Sequence, residues 1–559
     1  MNPKKLLAIL LLAGACRARE AALPAGPAAE ATPAPEPVLG TIDESREGTP
    51  VDGGVLRRRL YGEPTTLNAV LQSAVPDQEV LQYLSRNLLD FDARMNLVPG
   101  LAESYEVFPD GKAFTFHIRK EAVWEDGSAV TSRDAVFTIR KITDEKVSSP
   151  VFKPVFDGLE SVEATGERSF RVRFREPYAY RAMAFVLPLL PEKRFAGKSL
   201  ERAKENRAPL SNGPYRFVRW KPQESLELAR NPRYWGARGH FDRILFRILP
   251  EDAVAYRALL EGSLDETLLD ATLKERSASD AKFQECCRLV EFYNLDYTYI
   301  ALNNRSPSFS DARVRRAMTM LLDRAAIGRS LFKGSARIIS GPWAPDSPAY
   351  DSTVAPLPFD PEKAASLLAE AGWRDTDRDG VLDREGRRFE FELLVSAGST
   401  VGRQIDETFA AELAKAGVTA RVRPVEWAAF VERVGAGDFE AASLGWSASD
   451  PNPDPYPYWH SSQVPPEGLN SGFYRNPEAD RLMEESRREM DPEKRRQIYH
   501  RLHALFRDDA PALFVVNTSR KFALRKRFRG LVTSPLGFAG TWPGPLGWWG
   551  SGDGPKFSP

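Results

Sequence analysis

LAESYEVFPDGKAFTFHIRKEAVWEDGSAVTSRDAVFTIRKI, residues 101–142, switches its hydrophobic period partway along. Phe114, Phe116 and Ile118 alternate with polar neighbours, so they share one face of a strand. Pro109-Asp110-Gly111 provides a hairpin turn before that strand, and Glu125-Asp126-Gly127 a second turn after it. Thr131 or Ser132 then caps a helix whose inward face is Ala135, Val136 and Ile139. Strand, turn and helix follow one another within a few dozen residues, and the rest of the chain repeats that mixture. Phe170, Val172 and Phe174 alternate in SFRVRFR (169–175), and Ile244, Phe246 and Ile248 in RILFRIL (243–249). Asp311 precedes a helical row of Val314, Met318, Leu321 and Leu322. Asp360-Pro361 opens a helix carrying Ala364, Leu367, Leu368 and Ala371 that stops at Gly372. A third helix runs from Asp491-Pro492 through Ile498, Leu502 and Leu505 and ends before Pro511. The fold class is therefore α/β, without a repeat of fixed period.

A chain of 559 residues exceeds what one hydrophobic core usually supports, so several lobes are expected. Lys plus Arg and Asp plus Glu both number 77, so nothing in the net charge points to nucleic acid or another polyanion. The first residues, MNPKKLLAILLLAGAC, join two lysines to an apolar run too short to span a bilayer, with Gly14 and Ala15 directly before Cys16. That pattern is a secretion signal over residues 1–16. It resembles the bacterial lipobox, which implies cleavage before Cys16 and acylation of its thiol; Ala13 stands where leucine is most usual. Residues 17–54 are rich in Ala, Pro, Glu and Gly and read as a solvated tether. Only Cys286 and Cys287 remain, adjacent to one another. They cannot make a disulfide framework and read as local packing, with a vicinal bridge as the alternative.

Taken whole, the 101–142 segment resembles the signature of the family 5 extracellular solute-binding proteins, the peptide and nickel receptors of ABC importers. The likeness continues in LSNGPYRFVRW (210–220), RNPRYWG (230–236), YIALNNRSPSFSDARVRRAMTMLLDRAAI (299–327), GWSASDPNPDPYPYWHSS (445–462) and FYRNPEADRLMEES (473–486), in the family's order. The resemblance implies a periplasmic-binding-protein-like fold of class II with three lobes. Lobe I comprises 55–78, 205–296 and 515–559, lobe II 79–204, and lobe III 297–514. Lobes I and III are expected to close on solute about a hinge near Tyr297–Asn303 and Phe514–Thr518. It further implies no cofactor, an exported and lipid-anchored monomer in the cell envelope, and a membrane permease with ATPase subunits as partners.

In GWSASDPNPDPYPYWHSS a proline occupies every second position from Pro451 to Pro457. Such a loop has fixed φ angles and few N–H donors, so it loses little entropy on binding and presents its side chains already placed. In peptide receptors of the family an aspartate here takes the ligand's ammonium. Asp450 lies nearest that position, Asp454 is the alternative, and both also suit plain turn residues. Trp446 is expected to line the cleft, and Tyr299 and Asn303 to hydrogen-bond an extended ligand. Asn212 and Tyr215 read as structural. Ser443 stands where some oligopeptide receptors carry an arginine for the ligand's carboxylate, leaving Arg433 or another cation as the substitute.

DTDRDGVLD (375–383) places Asp375, Asp377, Asp379 and Asp383 around Gly380, like the front half of a calcium loop. Gly386 replaces the expected glutamate and Arg378 sits among the acids, which favours a solvated turn with no metal. The five histidines are dispersed, and His500 and His503 read as exposed. CxxC, HExxH, GxSxG and Walker patterns are missing, so an enzyme lacks its parts. The best reading is a receptor delivering di- or oligopeptides to an ABC permease. The alternatives are a same-fold receptor for an oligosaccharide, opine or nickel complex, and a sensory or chaperone-like binding lipoprotein.

Overall fold

The computed structural model describes residues 42–447, 451–466, 468–538 and 540–550. Three sheets carry the chain. Val55–Leu60, Arg243–Ile248, Ser225–Arg230 and Tyr215–Lys221 form the first, in that order. Its first pair is parallel and the others antiparallel. Ile244 and Phe246, from the alternating row, are 1% and 0% exposed in its core with Tyr83, Phe522 and Trp548.

The second sheet is antiparallel throughout, in the order Ala102–Val107, Ala113–Ile118, Ser169–Phe174, Leu159–Ala164. Gly111, at φ +66°, makes the tight turn between its first two strands, which a side chain would strain. Phe114, Phe116, Phe170, Phe174 and Phe185 pack as one ring cluster beneath the Ser132–Thr143 helix. Thr131 is that helix's N-cap, and the Thr131 N–H donates to Asp134 Oδ2 at 2.9 Å.

In the third sheet Glu390–Ser396 lies parallel to Thr419–Val425 on one side and to Ala441–Trp446 on the other. Parallel neighbours need crossover helices. Thr400–Lys415 supplies one, burying Ile405, Phe409 and Leu413; Trp427–Ala436 supplies the other, burying Phe430 and Val434.

One strand of this sheet, Ala512–Arg525, changes partners along its length. Its first half pairs with Tyr297–Leu302, matching Tyr299 to Phe514 and Thr298 to Val516, and with Ala336–Ile338. Its second half pairs with Cys287–Tyr293, from Tyr293 opposite Ser519 to Cys287 opposite Arg525, and with Glu266–Leu268. The change of partner falls at Tyr293–Tyr297 on one chain and Val516–Ser519 on the other. Asn517, 0% exposed, sits at that point. Its amide donates to the carbonyls of Asn294 (2.8 Å) and Asp296 (2.6 Å), and its Oδ1 accepts from Arg337 at 2.7 Å. A buried amide with every partner made fixes one register of the crossing.

Three expectations are corrected here. Residues 42–54, counted with the tether on composition, are docked: Thr533 N–H donates to the Ile42 carbonyl at 2.9 Å, Glu44 pairs with Arg288, and Asp52 lies 2.7 Å from His240. Cys286 and Cys287 are joined as a vicinal disulfide where a helical turn enters a strand, in addition to packing against Tyr256 and Phe283. His503 is fully buried, because the inward face of the Pro492–Asp509 helix includes Tyr499, His503 and Phe506 beside its leucine. The Asp351 N–H donates to His503 Nδ1 (3.0 Å) and Ser340 Oγ lies 3.0 Å from Nε2, while burial pushes the imidazole down to about 4.

Asp406 on the Thr400–Lys415 helix is 0% exposed and accepts from Ser443 Oγ, while its Oδ2 has no partner among the described residues. Burial pushes this carboxyl up to about 8. The native protein therefore holds a proton that the unfolded chain, with a pKa of about 4, releases, so stability falls as pH rises from about 4 to about 8. Asp406→Asn removes that slope. Denaturant titrations at about pH 5 and about pH 9 are expected to show a wild-type loss larger than the variant's, by on the order of a few kcal/mol. Equal losses would contradict a protonated Asp406.

Candidate functional site

Tyr297–Leu302 and Ala441–Trp446 are antiparallel neighbours, with Tyr297 opposite Trp446 and Tyr299 opposite Leu444. Alternation places Tyr297, Tyr299 and Trp446 close together just beyond the crossing. Ring centroids lie 5.8 Å apart for Tyr297 and Tyr299 and 6.4 Å for Tyr297 and Trp446. Tyr458 meets the edge of Trp446 at 4.4 Å, and Trp459 approaches Tyr299 at 6.4 Å. These five rings, with Ser471 and Gly472, line a cavity of about 40 Å³. That space holds a few waters, not a large solute. Burial raises both the Tyr297 and Tyr299 phenols above their ordinary value, so they stay protonated. Broad aromatic faces with hydroxyl handles suit apolar side chains and cationic groups alike.

Trp446 and Tyr299 thus come together as the sequence suggests. Asn303 does not join them. Its amide donates to the carbonyls of Phe439 (2.9 Å) and Gly437 (3.3 Å), and its Oδ1 accepts from the Arg305 N–H at 3.1 Å. The role is a turn anchor. Asp450 lies outside the described residues, as does Cys16. Its neighbour Ser447 donates to Asp296 Oδ1 at 2.8 Å, and Arg520 pairs with the same carboxylate, which ties the end of the Ala441–Trp446 strand to the crossing.

Asp454 is committed within the fold. Its side chain is 5% exposed and its Oδ2 takes hydrogen bonds from Tyr178 Oη (3.0 Å) and pairs with Arg487 Nε (3.2 Å), while Oδ1 accepts from the Tyr456 N–H at 3.1 Å. Burial raises this carboxyl and Arg487 opposes the rise. The partners that hold Asp454 come from distant stretches that the local pattern does not display. Arg433 is likewise held by Glu392 (3.0 Å) and Asp438 (3.2 Å), so it is no substitute for the missing arginine. Asn212 accepts from the Arg86 N–H (2.8 Å) and Tyr215 Oη donates to the Phe241 carbonyl (2.7 Å), both structural ties.

In the acidic turn Asp375, Asp377 and Asp383 bring one oxygen each within 4.8 Å of one another. Asp379 turns instead to Arg388, and Asp383 accepts from the Thr376 N–H and hydroxyl, each at 2.8 Å. Arg378 and Gly380 hold left-handed φ angles of 66° and 85°. The turn is closed by its own donors.

Tyr297, Tyr458 and Trp459 were not singled out by sequence. The last two sit inside the proline-rich stretch itself; Tyr297 carries no local signal beyond its place on a strand.

The model of bacterial extracellular solute-binding proteins, family 5 (middle region) matches residues 96–466, a span that includes the ring cluster and the proline-rich loop. The chain belongs to that family. It is 29% identical over 498 residues to the oligopeptide-binding protein AppA of Bacillus subtilis (strain 168), covering 87% of this chain and 90% of that one. It is 26% identical over 485 residues to heme-binding protein A of Haemophilus influenzae, covering 82% and 86%. Its fold matches the structure of Bacillus subtilis AppA in complex with a nonapeptide with a TM-score of 0.73 at 28% identity, over 90% of this chain and 100% of the other. The protein is a mixed α/β, multi-lobed family 5 solute-binding protein. No helix among the described residues is long and apolar enough to cross a membrane.

If Asn303 is a turn anchor in this family 5 protein, Asn303→Ala leaves buried carbonyls without a donor. It is expected to lower stability by about 1–3 kcal/mol in denaturant titration while leaving solute affinity within about twofold. A loss of affinity with unchanged stability would restore Asn303 to the binding site.

Proposed function

We propose that this chain is the receptor of an ABC importer, capturing peptides between two lobes and delivering them to a membrane permease driven by separate ATPase subunits. The observation that carries the reading is the ring cluster of Tyr297, Tyr299, Trp446, Tyr458 and Trp459 beside the point where the Ala512–Arg525 strand changes partners. A peptide laid against these rings touches the hinge itself, so ligand contact and lobe closure are one event. Lobe I is assigned 55–78, 205–296 and 515–559, lobe II 79–204 and lobe III 297–514. The sequences of oligopeptide-binding AppA and its nonapeptide complex support the peptide class. The lipobox at Cys16 supports export and lipid anchoring at the envelope, and the protein works as a monomer.

Peptide capture needs a counter-charge for the ligand's ammonium. With Asp454 held by Tyr178 and Arg487, that role is assigned to Asp450, the remaining carboxylate of the loop. A second reading, another solute that suits aromatic walls, draws on the relative named for heme binding. Calorimetry with unblocked peptides of mixed sequence and the same peptides N-acetylated separates the two. Losing one partner of a buried ion pair costs roughly 3–5 kcal/mol, so acetylation is expected to weaken binding at least a hundredfold. Equal binding of both sets would remove the ammonium site, and no binding of either would move the second reading to first place.

A further inference from the structure

The proline-rich loop that carries Tyr458 and Trp459 has few means of holding itself. Pro451, Pro453, Pro455 and Pro457 have no N–H to give, so only alternate residues can donate from the backbone. As far as Tyr456 the described bonds of the loop pass largely through side chains: Asp454 N–H to Asn452 Oδ1 (3.1 Å), Tyr456 N–H to Asp454 Oδ1 (3.1 Å), and Trp343 Nε1 to the Pro453 carbonyl (2.9 Å); beyond it the short Tyr456–Trp459 helix begins, and the Tyr458 and Trp459 N–H groups donate to the Pro455 carbonyl at 3.1 and 3.0 Å. The two polar side chains of the loop then converge on one hydroxyl from elsewhere. Asn452 Nδ2 donates to Tyr178 Oη at 2.9 Å, and Tyr178 Oη donates to Asp454 Oδ2 at 3.0 Å.

Tyr178 lies 276 residues upstream of Asp454, in the stretch assigned to lobe II, and is not among the residues lining the cavity. Its surroundings fix its position from both sides. Arg487 sits 5.0 Å from the Tyr178 ring and 4.3 Å from that of Tyr456, while its carbonyl accepts from the Ala179 N–H at 2.9 Å. Two residues on, Tyr180 Oη accepts from Arg495 Nε at 3.1 Å, and Tyr180 packs in the same core as Tyr297, Trp459 and Phe514. Burial and the Asp454 carboxylate hold the Tyr178 phenol well above its usual value, so it remains a donor.

We propose that Tyr178 is a positioning residue for the solute site: through Asp454 and Asn452 it fixes the proline-rich turn that brings Tyr458 and Trp459 to the cavity wall. Lobe II thereby takes part in solute capture without touching solute. Its effect on affinity rests on the peptide reading above; its effect on the loop does not. Removing the single hydroxyl takes away one donor and one acceptor at once, leaves Asp454 with Arg487 and the Tyr456 N–H, and withdraws from Asn452 Nδ2 the acceptor that ties it to Tyr178.

The test uses the full mature chain and Tyr178→Phe, with Asn303→Ala as a control of comparable stability loss in another loop. Hydrogen exchange of the Tyr458 and Trp459 amides is expected to quicken at least tenfold in Tyr178→Phe and to stay at the wild-type rate in Asn303→Ala. Calorimetry with an unblocked peptide that binds wild type is expected to show about tenfold weaker binding for Tyr178→Phe alone. Asp454→Asn is expected to weaken binding similarly, and the double variant no more than the stronger single one, because both act through one contact. Wild-type exchange at both amides in Tyr178→Phe, or equal quickening in both variants, would overturn the proposal. So would wild-type affinity in Tyr178→Phe beside quickened exchange. Should no peptide bind wild type, the peptide reading fails and the exchange result still decides the positioning role.

Discussion

The shared strand Ala512–Arg525 constrains everything else. Fourteen residues in one unbroken run pair in their first half with Tyr297–Leu302 and in their second half with Cys287–Tyr293, so the two sets of partners cannot separate and have little freedom to slide. What remains is rotation about the point where pairing changes, between Val516 and Ser519. Asn517 stands at that point, tying the strand to the opposite crossing through the carbonyls of Asn294 and Asp296. Slippage of register would strand this buried amide and turn alternate core residues such as Phe522 outward.

From that constraint the placement of the ring cluster follows. The strand beside the crossing, Tyr297–Leu302, carries two tyrosines at alternate positions, and its neighbour ends on Trp446, which Ser447 moors to Asp296 at the crossing. The loop that completes the cluster is stiff because of its prolines, yet stiffness alone does not locate it. A buried aspartate, an arginine and a tyrosine 276 residues upstream of that aspartate do. Asp454, which looked available for a ligand, is instead bonded to Tyr178, Arg487 and the Tyr456 N–H. Breaking such a buried pair from one side is costly, which keeps the loop in one place.

Local order was well represented in the sequence. Phe114, Phe116 and Ile118 point inward as their alternation requires, and Asp311, Asp360 and Asp491 each cap the helix they precede, because both effects act within a few residues. Alternating strands and capped helices gave the α/β class, and family blocks in order gave the solute-binding family. What stayed hidden depends on partners far along the chain. Nothing near Asp454 announces Tyr178, nothing near Ile42 announces Thr533, and His503 reads as exposed until Trp343 and Tyr350 are seen against it. The carbonyl partners of Asn303, at Gly437 and Phe439, were hidden for the same reason. The pairing of Cys286 with Cys287 depends on a local backbone bend that composition does not encode.

The central claim is that two lobes rotate about the shared strand when solute binds. Spin labels at Val218→Cys and Val401→Cys, exposed positions assigned to lobes I and III, report that rotation directly by dipolar distance measurement in mature protein lacking the Cys16 thiol. Saturating unblocked peptide is predicted to move the distance distribution to a distinct, narrower peak. A distribution unchanged by a peptide that calorimetry shows to be bound would contradict the account.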